Sequence, residues 1–148
     1  MTREKEIKKA AFEYADAVIT EDYCSFEISK LLKEKGFDGW CDWFYDDPRR
    51  QELRTKDGED KYWNGHLWDD EYAAPTHQMA MKWLREVHNI IIAIRPPYNW
   101  NGKKPTNYLF DVWHYCDDNT DINISVVSST IYEEAVEAAL KYSLENLI

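Results

Sequence analysis

The chain has 148 residues, 44% of them apolar and 15% aromatic, with a formal net charge of -10. A chain of that size amounts to about one domain and removes roughly two thirds of its unfolded surface from water on folding, so a disordered chain is excluded. The acidic balance excludes an electrostatic grip on nucleic acid, which needs Lys and Arg to displace counterions from phosphates, and it disfavours anionic membranes.

Cys24, Cys41 and Cys116 are odd in number and widely spaced, which fits reduced thiols better than a disulfide frame or a zinc site. The N-terminal charges are followed by no apolar run, and no window of about 18 apolar residues occurs, so a cytoplasmic protein is expected.

From Arg3 to about Val18, Ile7, Ala10, Ala11, Tyr14, Ala15 and Val18 recur at helical spacing. Ser25 suits the N-cap of a second helix with Ile28, Leu31 and Leu32 inward. Gly36 follows where a left-handed residue ends it, and Phe37 where a Schellman ending would contact Leu32. Trp40 to Tyr45 is aromatic and β-prone, hence a strand. Asp46 to Ala73 shows no period and reads as a long irregular loop, with a short edge strand at Lys61-Tyr62-Trp63 at most.

Thr76 can cap a third helix with Met79, Ala80, Trp83, Leu84 and Val87 inward and His88 placed for the C-terminal dipole if protonated. Asn89 breaks it. Ile90 to Ile94 is apolar on both faces, as in a central strand, and Arg95-Pro96-Pro97 ends it. After a Gly/Pro/Asn loop over Tyr98 to Thr106, Tyr108 to Cys116 and Ile122 to Val127 form a hairpin. A capping box, Thr130-Ile131-Tyr132-Glu133, opens a last helix with Val136, Ala139, Leu140, Ser143, Leu144 and Leu147 inward. The expected fold is a single α+β domain over 1-148 with a mainly antiparallel sheet of three to four strands, in the order α-α-β-(β)-α-β-β-β-α. The third and fourth helices should cover one face of the sheet, and the first pair the other face or an end.

Pro75-Thr76-His77-Gln78-Met79, Lys82-Trp83-Leu84-Arg85-Glu86 and Tyr132 to Ala139 give the chain a likeness. It resembles small uncharacterised proteins of phages, prophages and mobile elements of gut anaerobes, over roughly Ser25 to Phe44 and from Thr76 onward. The resemblance implies only a context, an accessory role in a host cytoplasm; it carries over no activity, cofactor or site residue.

Most catalytic patterns fail on spacing. His77 and His88 are about 16 Å apart along a helix, too far for one metal ion. His114 and Cys116 share a strand face but sit about 6.8 Å apart in an ideal strand, beyond proton-transfer reach. Asp117, Asn119 and Asp121 begin a calcium loop that lacks its Gly and its bidentate Glu. Asn101 to Lys104 lacks a P-loop's first Gly and its Ser/Thr. Adjacent acids such as Asp46-Asp47 and Asp69-Asp70 read as solvated. No metal and no cofactor is expected.

Aromatic content is the feature that exceeds what a core requires. Tyr62, Trp63, Trp68 and Tyr72, with Tyr98 and Trp100, fall in irregular stretches beside charges, where such side chains anchor partners or fold back as lids. They point to a non-enzymatic module that binds a host or phage protein, or a second copy of itself. Two alternatives stand beside it: an acidic inhibitor that mimics DNA, and an enzyme with His114, Asp111 and Cys116 near a cleft.

Overall fold

A computed structural model describes residues 2–8, 21–46, 49, 51–54, 61–96, 106–117 and 120–148. Residues 3–8 are helical and form α1; the rest of the helix predicted to Val18 lies outside the described residues. The other elements are α2 (Phe26–Glu34), β1 (Trp43–Tyr45), β2 (Leu53–Arg54), β3 (Tyr72–Ala74), α3 (His77–His88), β4 (Ile90–Arg95), β5 (Leu109–His114), β6 (Ile122–Val127) and α4 (Tyr132–Asn146). They make an α+β fold with two three-stranded antiparallel sheets, in the orders β2-β1-β3 and β4-β5-β6.

Local rules account for the helix ends. Ser25 accepts from the N–H of Ile28, and Gly36, at φ +89°, ends α2 as only glycine does without strain. Phe37 then donates its N–H to Leu32 O at 2.9 Å and enters the core beside Leu32. Thr76 caps α3, and Asn89 closes it in the left-handed region at φ 56°. The start of α4 differs from expectation. Ile131 occupies the N-cap with no side-chain bond, while Ser129 accepts from Ile131 N at 3.1 Å and donates to Glu134. The Thr130/Glu133 capping box does not form, because the helix begins at Tyr132 with Ile131 in the N-cap place, one residue later than the box requires.

One core joins all of this. α4 presents Ala135, Val136, Ala139, Leu140, Ser143 and Leu144 to it, and packs on α2, α3, β4 and β5. Leu140 is fully buried, so its truncation to Ala should cost about 3 kcal/mol. α3 and α4 cover one face of the second sheet, as expected. α2 lies against α4 and β3 instead of the sheet's other face.

Three expectations need correction. β4 is an edge strand, and β5 is central. Ile90, Ile92 and Ile94 face the core, but Ile91 points outward and is exposed, so an apolar run on both faces did not mean cover on both faces. α3 is rotated from its expected face: His77, Ala80 and Leu84 are buried, while Met79 and Val87 are exposed. The loop from Asp46 to Ala73 carries β2 and β3, whose two and three residues are too short to show a period.

Candidate interaction surface

The aromatic surface is built from one isolated bridge. Cys41 and Tyr62 exchange two backbone hydrogen bonds of 2.7 Å, and both side chains are buried. Alternation then sends their neighbours Trp40 and Trp63 to the other face as the next opposed pair, with ring centroids 5.6 Å apart. A turn that bonds His66 N to Trp63 O at 3.0 Å folds the imidazole back to 4.8 Å from Trp63. Asn64 braces this turn, donating to Phe37 O and accepting from Ala73 N, each at 2.9 Å. Trp40 remains 55% exposed. The Nε1–H of Trp63 is buried and meets no acceptor among the described residues.

Trp68 is the most exposed large hydrophobic side chain described, at 77%. Its backbone is nevertheless held: Lys33 Nζ donates to the carbonyls of Trp68 and Glu71 at 2.7 Å each, and Glu71 Oε1 accepts from Trp68 N at 2.9 Å. A fixed backbone carrying a solvent-facing indole loses little entropy on binding.

The other predicted aromatics divide. Tyr62 is a core residue whose ring lies 4.6 Å from Phe44, and Tyr72 is half-buried against Phe26 with Lys33 Nζ 5.2 Å from its ring centre. Tyr98 and Trp100 lie outside the described residues. Trp40 and His66 were not expected in the cluster. The signal that finds them is the strand alternation of Trp40-Cys41 against Tyr62-Trp63, which becomes legible only once that pairing is known.

A second polar arrangement was not foreseen. Tyr23 bridges Thr76, setting the N-termini of α2 and α3 side by side, and Glu137 of α4 reaches both. Its Oε1 accepts from Ser25 N at 2.8 Å and lies 2.9 Å from His77 Nε2; its Oε2 accepts from Ser25 Oγ at 2.9 Å. Beside it opens a cleft of about 250 Å³ lined by Glu21, Asp22, Thr76, His77, Gln78 and Tyr132. The carboxylate stands between serine and imidazole, so the imidazole does not touch the hydroxyl and the trio lacks the serine-histidine-acid order of a nucleophilic triad. His77 thus stands at the start of α3 as a buried tie between helices.

Around His114 the geometry also departs from expectation. Cys116 Sγ lies 3.8 Å from His114 Nδ1, because β5 ends at His114 and the ideal strand spacing stops with it. Asp111 faces the opposite side of the sheet, 95% buried, where Arg95 Nε and Nη2 donate at 2.6 and 3.0 Å and Ser125 Oγ also donates. His114, Asp111 and Cys116 therefore do not converge. His88 meets Trp83 edge to face, with ring centroids 4.7 Å apart, and burial, followed by the charge of His114, lowers its pKa. That shift opposes the protonated dipole partner that its place at the helix end suggested. Among the described residues no group of three or more His, Cys, Asp or Glu could hold a metal ion, and no helix is long and apolar enough to cross a membrane.

No family model matches this chain, and neither a curated protein nor a solved structure is found to be similar to it.

Proposed function

We propose that this protein is a non-enzymatic binding module whose surface of Trp40, Trp63, His66 and Trp68 takes a cationic, apolar-anchored segment of a partner protein. The observation that carries the reading is Trp68, an exposed indole on a braced backbone, together with a second exposed indole, Trp40, whose ring is tilted against Trp63 at 5.6 Å. Trp is the side chain most enriched among residues that dominate binding energy, and it also receives cations on its face. Exposed Asp38, Asp69 and Asp70 flank these tryptophans in sequence, which favours a basic partner. The resemblance to proteins of mobile elements supports a bacterial host cytoplasm as the setting and an accessory role.

The DNA-mimic alternative draws less support. It needs an unbroken negative face, whereas Lys61 pairs with Asp42, Lys82 with Glu86 and Lys141 with Glu27.

The test compares wild type with a Trp40→Ala/Trp63→Ala/Trp68→Ala variant in affinity capture from host lysate and in titration with Arg- and Lys-rich peptides followed by tryptophan fluorescence. The reading expects a protein retained only by wild type, at least tenfold weaker peptide binding by the variant, and near-native far-UV circular dichroism for both. Identical captured proteins, or a variant that no longer folds while Trp68→Ala alone binds normally, would reject it.

A further inference from the structure

We propose that β6 is the seam of a symmetric homodimer, in which two copies of this chain join their second sheets edge to edge into one continuous antiparallel sheet. This rests on different residues from the aromatic surface and stands or falls separately from it.

Among the described residues β6 pairs only with β5, which leaves its other side without a strand partner there. Ser128 N donates to Tyr108 O at 2.8 Å, in register with Val126 opposite Phe110 and Ile124 opposite Val112. The even-numbered residues of β6 thus turn their N–H and C=O groups toward β5. Those of Asn123, Ser125 and Val127 point to the free edge.

Sheets usually blunt such an edge with Lys, Pro, a bulge or a covering segment. β6 contains no charged residue and no Pro, and its register with β5 is unbroken from Ile122 to Val127. Its side chains are uncovered as well. α3 and α4 lie over β4 and β5, so β6 projects past the helices and Ile122 and Val126, on the core-facing row, stay 38% exposed each. The opposite edge differs, since Ile90 at the start of β4 is fully buried.

A second copy fits this edge better than a foreign strand does. With the two-fold axis at Ser125, the outward groups of Asn123, Ser125 and Val127 meet those of Val127, Ser125 and Asn123 of the other copy. The same axis sets Ile124 of each copy opposite Val126 of the other, extending the apolar row across the seam on one face. A foreign strand could meet the same backbone groups, but to extend the apolar row it would have to bring apolar side chains of its own in this register. Charge points the same way: each copy carries a net charge of -10, yet nothing from Ile122 to Ile131 is charged, so the copies meet here without like charges in contact.

The experiment is sedimentation velocity of the full chain over a concentration series, with amide exchange of β6 measured alongside. Asn123→Pro removes an outward N–H and leaves the β5 ladder intact. Val126→Lys puts a cation into the apolar row, and Val87→Lys places the same charge on an exposed residue of α3 as the control. Wild type and Val87→Lys should dimerise, with Ser125 and Val127 amides exchanging more slowly as concentration rises. Asn123→Pro and Val126→Lys should each weaken dimerisation at least tenfold while the dilute proteins keep the wild-type circular dichroism. A wild type that stays monomeric, or edge variants that dimerise as wild type does, overturns the proposal. A monomer whose β6 amides are protected only by an added peptide of alternating Val and Thr overturns it too, and assigns the edge to a foreign strand.

Discussion

His77 Nε2 lies 2.9 Å from Glu137 Oε1, joining the first turn of α3 to α4 through a side-chain pair that is largely shielded from water. Glu137 also receives the N–H and hydroxyl of Ser25, so a single carboxylate ties three helices together. Removing Glu137 leaves the imidazole of His77 buried without that bond, which costs more than the bond itself is worth, while exposed Ser25 turns to water. Glu137→Ala should therefore lower stability by about 2–3 kcal/mol, roughly 5–10 °C in Tm for a chain of this size. Glu137→Gln, which keeps an acceptor, should lose less. Urea unfolding of both variants checks the order, and equal losses would show that packing, not hydrogen bonding, holds the helices.

The three cysteines should differ sharply toward a thiol reagent. Burial, aided by the charges of Glu137 and Cys41, pushes the Cys24 thiol well up. Burial, followed by the charge of Asp42, raises Cys41 from 9.0 to about 12. At neutral pH that leaves roughly a thousandth of the ordinary thiolate at Cys41. Native protein should label once, rapidly, at half-buried Cys116, and at Cys24 and Cys41 only on unfolding. Mass spectrometry after brief alkylation reads this directly, and early label on Cys41 would contradict it.

What could be read from the sequence follows from the range of each interaction. The Gly36 stop of α2, the inner stripe of α4 and the β5-β6 hairpin are set by neighbours a few residues apart, so spacing alone reveals them. β2 and β3 exist only because β1 pairs with both, and no local pattern encodes a two-residue strand. α3 shows the same limit. Its spacing fits two overlapping faces, and the contact of His77 with Glu137, 60 residues away, selects the one with a histidine inside. The aromatic surface was half legible. Loop composition identified Trp63 and Trp68, but Trp40 joined them through the Cys41-Tyr62 bridge and Tyr62 went to the core by the same pairing.

Stability should fall on mild acidification because of His88. Burial first and the charge of His114 second lower its folded pKa below the ordinary 6.5. Below about pH 6.5 the unfolded chain binds a proton there that the folded chain accepts only at lower pH. This contribution is complete above that pH and is lost as pH falls through the folded pKa. His88→Phe keeps a ring against Trp83 and removes the proton, so its Tm should decline less than wild type between about pH 7 and pH 5. Parallel Tm-against-pH curves for the two proteins would assign the dependence to other groups.

The aromatic pair depends on a residue with no side chain. A Cβ placed on Gly65 would lie 2.4 Å from Cη2 and Cζ3 of Trp63, closer than real contacts allow, and the backbone there has no left-handed φ to penalise alanine. Gly65→Ala therefore acts through the indole alone. Trp63 is confined on its other sides by Trp40 and His66, so the ring must leave the stack. The substitution should cost about 1 kcal/mol, as overpacking does, and abolish the near-UV circular dichroism of the stacked indoles. It should also weaken partner binding, because Trp40 loses the ring that orients it. A double-mutant cycle isolates the cause: in a Trp63→Ala background, where the space is open, Gly65→Ala should cost almost nothing. An equal cost in both backgrounds would place the strain in the turn and leave the stack without a part in holding Trp40.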